Sequence, residues 1–587
     1  MTRCTTQCRS ATARGTRRPG EPRRGHHDSH LRVTMADNVT STGPVAAHPS
    51  TPQHRAGGAR EPLLDRLTSP GGLFLSGVML AAAFPVTNAI RDPDFWWHLR
   101  SGQLILQTGG LLHNDPFTYT VSSHAWTMHE WLTEVLFAQL YRWSGLAGIV
   151  AVLSIVTWLG VVCIFARARM DRPGALVLGG AMVLAVIAGY PIWGPRAQMI
   201  TFALACLTLL LAERHLRRGG RVVLVLLPVF LLWSNLHSGF LIGLGFIAVI
   251  VAAETVAHLL HLEGRAPAAR VRGLALLLLA CLVVSAINLN GPSIILYPFA
   301  TQGSAAQQSL ILEWHSPDFH DWSVRAFGVM LLSLVALIVA NRSIRLRDAA
   351  LVLVTVALSL QSVRHIALFV AAATPVWITQ GDLLLRRLLP RERRRRPLPP
   401  PGIRLVSWLV LCGAVLTVFT GSRLLPSMRT GEDSLFYAQD YPVCAARWLA
   451  ADPLPLHIFN QYGEGGYLAD KLSAHGDRVY VFGDAALMGD PLLYSYAAVE
   501  SVTPRWDSIL RDAGTDIVLF DTGAPLSNVM EHAPDWVEVY SDPHNVAFAP
   551  RDRVARLQLP PQPTFTAGDA CTALLRTPPS QLTQTPG

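Results

Sequence analysis

Arg91-Asp92-Pro93-Asp94-Phe95-Trp96-Trp97-His98-Leu99-Arg100 follows directly on the first long apolar run of the chain, at about 71–90. Within ten residues it gathers two carboxylates, a histidine, two arginines and three aromatic rings, next to sequence that is otherwise oily. His113, Asn114, Asp115 and Pro116 come next, then His129 and Glu130. Few structural roles need that chemistry beside a bilayer. The segment reads as an active site at a membrane face, with the remaining chain as its scaffold.

The scaffold follows from composition. Of 587 residues, 50% are hydrophobic and only 15% charged, against about 25% charged in soluble domains. The mean hydropathy is +0.32. Apolar runs of about 18–20 residues recur, each able to cross a hydrocarbon core of roughly 30 Å. Repeated spans of this kind must be helical, because lipid offers the backbone no hydrogen bonds. Spans are expected at about 71–90, 146–166, 174–190, 197–213, 222–236, 239–260, 272–288, 325–340, 348–362, 365–380 and 404–421. The fold class is therefore a polytopic α-helical membrane protein of about eleven transmembrane helices. The net charge of +9 does not point to nucleic acid, because the arginines cluster in short loops between spans.

Those arginines set the orientation. Arg167, Arg169 and Arg172 follow the second span; Arg214, Arg217, Arg218 and Arg221 the fourth; Arg265, Arg270 and Arg272 the sixth; Arg342, Arg345 and Arg347 the eighth. Arg386, Arg387, Arg391 and Arg393 to Arg396 follow the tenth. By the positive-inside rule these loops and the N-terminus are cytoplasmic. The loop 91–144, with Phe95–Gln107 and Glu130–Tyr141 as amphipathic helices on the membrane surface, then faces outward. So do the polar clusters at 195–198, 235–239, 288–292, 313–318 and 362–365. A channel or carrier should instead carry ionisable groups through the membrane depth.

Three domains are expected. Residues 1–65 read as a disordered basic cytoplasmic tail, with no signal-peptide apolar core; either Met1 or Met35 is a workable start. Residues 66–422 form the transmembrane domain. Residues 423–587 form a soluble extracytoplasmic α/β domain, with strands at Leu456–Phe459, Val479–Phe482, Asp516–Phe520 and Trp536–Tyr540 and helices at Gly466–Leu472 and Arg505–Ala513. The glycine-rich stretch Asn460–Tyr467 lacks the Lys-Ser/Thr ending of a phosphate loop and reads as a tight turn. Cys444 and Cys571 can pair if this domain faces an oxidising space. Cys4 and Cys8 sit in the tail, and Cys163, Cys206, Cys281 and Cys412 are packing residues of spans.

Candidate chemistry centres on Asp92 and Asp94. A carboxylate held at a lipid–water boundary has a raised pKa, suited to a general base acting on a hydroxyl. Alternatively the pair holds a divalent cation through oxygen ligands, or simply caps a helix. Trp96, Trp97 and Trp126 read as an aromatic interfacial belt. His98 and Arg100 extend the acidic motif. Asp115 is a second turn carboxylate, functional or structural, and His129 and Glu130 either bind substrate or cap a helix. Arg196, Arg364 and His365, at outer ends of spans, suit a lipid phosphate or pyrophosphate, which arginine grips bidentately. Gln198, His237 and Glu313 are further outward-facing candidates.

Asp-Pro-Asp-Phe-Trp-Trp-His-Leu-Arg-Ser-Gly from Asp92, Asn-Asp-Pro-Phe-Thr-Tyr-Thr from Asn114, His-Glu-Trp-Leu from His129, Glu-Trp-His-Ser-Pro-Asp-Phe from Glu313 and Ser-Val-Arg-His-Ile from Ser362 resemble the GT-C superfamily of bacterial membrane glycosyltransferases. The likeness covers most of 66–380 and extends into 460–484. It implies transfer of a hexosyl or pentosyl group, with inversion, from a polyprenyl-phosphate donor to a glycan, lipid or protein acceptor outside the cytoplasm. The bilayer would be the inner cell membrane, and no nucleic acid is involved. Asp94, or Asp92, would be the base, and Arg196, Arg364 and His365 would hold the donor phosphate. The acidic pair is not set in the sequence typical of protein mannosyltransferases, so donor and acceptor do not carry over. A flippase for lipid-linked glycans and an envelope-lipid phosphotransferase are the alternatives.

Overall fold

The computed structural model describes residues 62–389, 399–432, 434, 437, 440–561 and 571. The expected tail lies outside them save for 62–65, as do Met1, Met35, Cys4, Cys8, Arg391 and Arg393 to Arg396.

The chain is a mostly helical membrane protein. Among the described residues seven helices are long and apolar enough to cross a bilayer: Trp131–Asp171, Gln198–Arg218, Phe240–Leu259, Ala268–Ser285, Trp322–Asn341, Val363–Leu388 and Pro401–Arg429. The other expected spans also coincide with helices, but shorter ones: Pro70–Val86, Ala175–Ala188 and Arg221–Leu236 are apolar, and Leu346–Gln361 has 16 residues. Pro401–Phe419 buries none of its side chains fully and packs at one edge of the bundle, where Trp408 donates to Ser76 at 3.0 Å, whereas Gln198–Arg218 buries twelve.

The long loop at 91–144 is built on two helices. Asp94–Thr108 ends at Gly109, whose positive φ of 75° allows the left-handed C-cap that a side chain would strain. The second expected surface helix and the second span are one element, Trp131–Ala168, broken at Gly145. Gly102 lets the two helices touch, since a Cβ there would collide with the Glu134 carbonyl oxygen.

The aromatic belt is not what these tryptophans form. Trp96 is 0% exposed, edge-on to Tyr437, Tyr441 and Tyr467, with Lys471 Nζ 4.8 Å from its ring. Trp97 and Trp126 are also buried. The C-terminal part of the chain covers this helix, so rings expected to rest in the lipid interface are sealed between protein layers. Each such ring removes about 150–250 Å² from solvent.

That C-terminal part carries a five-stranded sheet: β1 (His457–Asn460), β2 (Arg478–Val479), β3 (Ile517–Asp521), β4 (Trp536–Ser541) and β5 (Asn545–Pro550), in the order β2-β1-β3-β5-β4. β1 is parallel to both β2 and β3, while β5 is antiparallel to β3 and β4. The expected strand at 479–482 shrinks to two residues, and β5, which a hairpin adds, is absent from the sequence expectation. The glycine-rich stretch is more than a turn: a single 3-10 turn, Tyr462–Glu464, leads into the helix Gly465–Leu472. The free edge of β2 is covered by the outer loop, where Thr118 pairs with Val479 and the Val479 N–H donates to Phe117 O at 3.0 Å. Cys444 and Cys571 form a disulfide.

At the C-terminal ends of Gln198–Arg218 and Phe240–Leu259 sits an ion-pair network, joined there by the start of Leu346–Gln361. Arg217 pairs with Asp171 and Glu213, Arg347 with Glu213 at 3.1 Å and with Glu254, and Arg345 with Asp348 at 2.7 Å. The N-terminal ends of the first two helices converge elsewhere.

Candidate active site

Helices that begin at Gln198, Phe240 and Val363, together with the start of Asp94–Thr108, bring their N-termini to one cavity of about 600 Å³. Their dipoles give it a positive bias favourable to an anion. Asp92, Asp94, His98, His129 and Glu130 line it from the outer loop. Arg196, Gln198, His237, Glu313, Arg364 and His365 line it from the bundle. The cavity thus collects eleven of the thirteen candidate residues, drawn from loops more than two hundred residues apart.

The two aspartates play different parts. Asp92 is tied down: its Oδ1 accepts from the Asp94 N–H at 3.4 Å and faces Arg196 Nη2 at 3.5 Å. Arg196 also meets Glu313 at 2.7 Å, so this guanidinium bridges two carboxylates from separate loops. Asp94 opens the helix and accepts from Trp97 Nε1 at 3.1 Å. Gly483, from the soluble domain, presses against it: Asp94 Oδ1 occupies the place a Cβ on residue 483 would need. Burial, then the neighbouring Asp92, pushes the Asp94 carboxyl up to about 7.

Behind Asp94 lies a hub of histidines around Glu130. His98 Nε2 is 3.5 Å from Glu130 Oε2, and its Nδ1 is 3.1 Å from Glu134 Oε1. Burial opposes charge on this imidazole, but Glu130 and Glu134 overcome it and raise the pKa to about 9. His129 Nε2 lies 3.2 Å from Glu130 and stacks on Tyr297 at 4.4 Å. Its pKa is also raised, the contacts to Glu130 outweighing burial. His237 behaves oppositely: burial dominates and lowers it to about 4. Its Nδ1 accepts from the Gly239 N–H at 2.8 Å, which assigns the single ring proton to Nε2, 3.3 Å from Glu130 Oε1. Burial would raise Glu130, but the three histidines hold it well below the usual carboxylate range. Glu130 is thus an anionic anchor, not the helix cap that its position suggested; no side-chain cap bond forms there.

Arg364 lies 4.7 Å over the Trp314 ring and, among the described residues, has no carboxylate within ion-pair distance. That leaves its planar fork of donors available to a ligand. His365 Nδ1 is 3.2 Å from Leu358 O, which fixes the ring at the start of its helix.

Arg100 and Asp115 are not brought to the cavity. Arg100 donates to Ser473 at 3.0 Å and Gln103 at 3.2 Å, because two residues on from His98 it faces the other side of the helix. Asp115 accepts from the N–H groups of Phe117 and Thr118 at 2.7 and 3.1 Å and holds a turn. For a metal ion, Asp92 and Asp94 offer carboxylate oxygen, but Asp92 is committed to Arg196. Among the described residues no group of three or more His, Cys, Asp or Glu has metal-binding geometry.

The cavity also contains residues that sequence reasoning missed: Tyr297, Tyr462, Gly483 and Asp484, with Glu134 behind His98. Glu134 had a signal, since it lies four residues after Glu130 on the same helix face. Asp484 accepts from Trp126 Nε1 at 2.8 Å and caps the helix that begins at Ala485, a pairing across 358 residues that no local pattern reveals.

No family model matches this chain, and no curated protein does. Among solved structures the chain is similar to the archaeal oligosaccharyltransferase AglB from Archaeoglobus fulgidus in complex with an inhibitory peptide and a dolichol-phosphate, at 12% identity and a TM-score of 0.49, over 82% of this chain and 74% of that one. It is also similar to ArnT from Cupriavidus metallidurans bound to undecaprenyl phosphate, at 14% identity and a TM-score of 0.46, over 83% and 98% of the two chains.

Proposed function

We propose that the chain is a membrane glycosyltransferase that moves a sugar from a polyprenyl-phosphate donor to an acceptor hydroxyl outside the cytoplasm, with Asp94 as general base. The observation that carries this is a buried carboxyl with a pKa near neutrality in the same cavity as Arg364 and four converging helix N-termini. A base poised near the working pH combines adequate deprotonation with useful driving force. Arg364, with Gln198 and His365, would receive the donor phosphate. Asp92, Arg196 and Glu313 would hold the outer loop against the bundle.

In this reading Asp94 takes the proton from the acceptor hydroxyl as its oxygen attacks the anomeric carbon. The bond to the phosphate oxygen breaks on the far face, and the helix N-termini and Arg364 stabilise the departing lipid phosphate. One displacement inverts the anomeric centre, and either a hexosyl or a pentosyl donor suits it. The cavity would face away from the cytoplasm, since the arginine-rich network lies at the opposite helix ends. Residues 66–422 would form the membrane domain and 423–587 the outer domain. Glu213, Glu254, Arg347 and Asp348 lie near helix ends, a distribution that favours an enzyme over a carrier path.

The test is incubation of membranes with radiolabelled polyprenyl-phosphate sugars, comparing wild type with Asp94→Asn. Transfer of label by the wild type alone is expected. Transfer of phosphate without sugar, or equal sugar transfer by both proteins, would sink the reading.

A further inference from the structure

A second crevice, of about 790 Å³, lies in the soluble domain on the other side of the catalytic loop; Pro93 lines both it and the Asp94 cavity. Its position follows from topology. The chain passes from β1 to β2 on one side and returns to β3 on the other. Two right-handed crossovers in opposite directions must leave from opposite faces, which opens a gap between the loops at the carboxyl ends of β1 and β3. Gln461, Gly463 and Glu464 follow β1, Asp521 and Thr522 follow or end β3, and His544 closes the gap from the β4–β5 turn.

The crevice is lined with polar atoms that the fold leaves unsatisfied. Among the described residues Gln461 Oε1, Glu464 Oε2 and His544 Nε2 are buried without a hydrogen-bond partner. Glu464 is only 7% exposed, and its other oxygen accepts from Asn545 at 3.3 Å. Buried polar atoms left unpaired cost about 1–3 kcal/mol each, so three such atoms on residues that line one crevice point to a ligand that pairs them.

We infer that this crevice binds a neutral sugar residue, through Gln461, Glu464, Asp521 and His544. Arg91 also lines the crevice, but three carboxyl groups, Glu464, Asp521 and Asp440, stand beside it, so positive charge does not dominate the lining as a phosphate or nucleotide site would need. A metal ion is disfavoured, because no cluster among the described residues has ligating geometry. Hydroxyl groups fit, since each both donates and accepts. Burial and the neighbouring Asp521 raise the Glu464 pKa well above the ordinary value, and burial raises those of Asp440 and Asp521, so these groups also donate as well as accept. The Tyr441 ring, stacked on Tyr467 at 5.2 Å, supplies an apolar wall. Binding itself needs no transferase; assigning the sugar to a glycan acceptor rests on the function proposed above.

The test uses full-length protein in nanodiscs and saturation-transfer NMR with glucose, galactose, mannose, arabinose and N-acetylglucosamine at millimolar concentration, with glucuronate and ethanolamine as charged controls. Gly523 lies in the crevice, and a Cβ there would meet nothing within 4 Å, so Gly523→Leu fills the space without disturbing the sheet. Saturation of at least one neutral sugar is expected, weakened about tenfold or more by Gly523→Leu and by Asp521→Ala and unchanged in Asp94→Asn. Undecaprenyl phosphate binding, read in the same samples, should survive Gly523→Leu. No transfer to any neutral sugar, transfer only to a charged control, or wild-type sugar binding by both crevice variants overturns the inference. A crevice that binds sugar in a protein that transfers none would instead overturn the transferase reading alone.

Discussion

Gly483, in the C-terminal sheet domain, sits against the carboxylate of Asp94, in the loop at 91–144, so closely that a single added methyl group would overlap Oδ1. The proposed base is therefore held from two sides, by Trp97 of its own helix and by a backbone almost four hundred residues away. Gly483→Ala should lower transfer about as much as Asp94→Asn while leaving expression and membrane insertion unchanged. Kinetics of both variants beside wild type would check this; an active Gly483→Ala protein would show that the contact is dispensable.

Asp94→Asn should reduce turnover by about 10²–10⁴-fold, the range general base catalysis supplies. In the wild type, kcat should rise with pH and level off above about 7, where the buried carboxyl has lost its proton. A pH profile flat from 5.5 to about 8.5 would remove Asp94 from the base role.

Arg364→Ala should weaken binding of undecaprenyl phosphate by roughly tenfold to a hundredfold, the worth of one charge-assisted hydrogen bond. Arg364→Lys should restore little, because lysine lacks the planar fork. Arg196→Ala is expected to do more damage, since it strands Asp92 and Glu313 without their shared cation. Equilibrium binding in detergent would separate the two.

The His98 site should make stability depend on alkaline pH. Its folded-state pKa is raised from 6.5 to about 9, so the imidazolium stabilises the fold fully below the unfolded value. That contribution is lost as pH rises through about 9. The melting temperature of the purified protein should fall over this interval, and His98→Gln should flatten the fall.

Removing the disulfide by Cys444→Ser should cost about 2–4 kcal/mol, as for bridges that close long loops; this one spans 127 residues. Thermal unfolding with and without reductant would measure it.

The helical scaffold was legible because a bilayer leaves the backbone few options, and every expected span falls on a helix. The acidic loop was legible because polar residues are rare in oily sequence. The roles of the tryptophans were not: nothing local distinguishes Trp96 in a lipid interface from Trp96 beneath Tyr441 and Tyr467. Asp115 and Arg100 carry the same chemistry as Asp92 and Arg196, and only their direction on the backbone keeps them out of the cavity. The contributions of Gly483, Asp484 and Tyr297 depend on long-range contacts that no periodicity encodes. β5 was hidden because all six of its residues are buried, which erases the alternation that marks a half-exposed strand.

The pairing of Thr118 with Val479 reaches beyond architecture. Cut free of the membrane portion, residues 423–587 would expose an open hydrogen-bonding rim along β2, the kind of surface on which strands of other molecules grow. Produced alone, the C-terminal portion would thus be expected to self-associate along that rim, a hazard that the loop at 117–119 removes by occupying it.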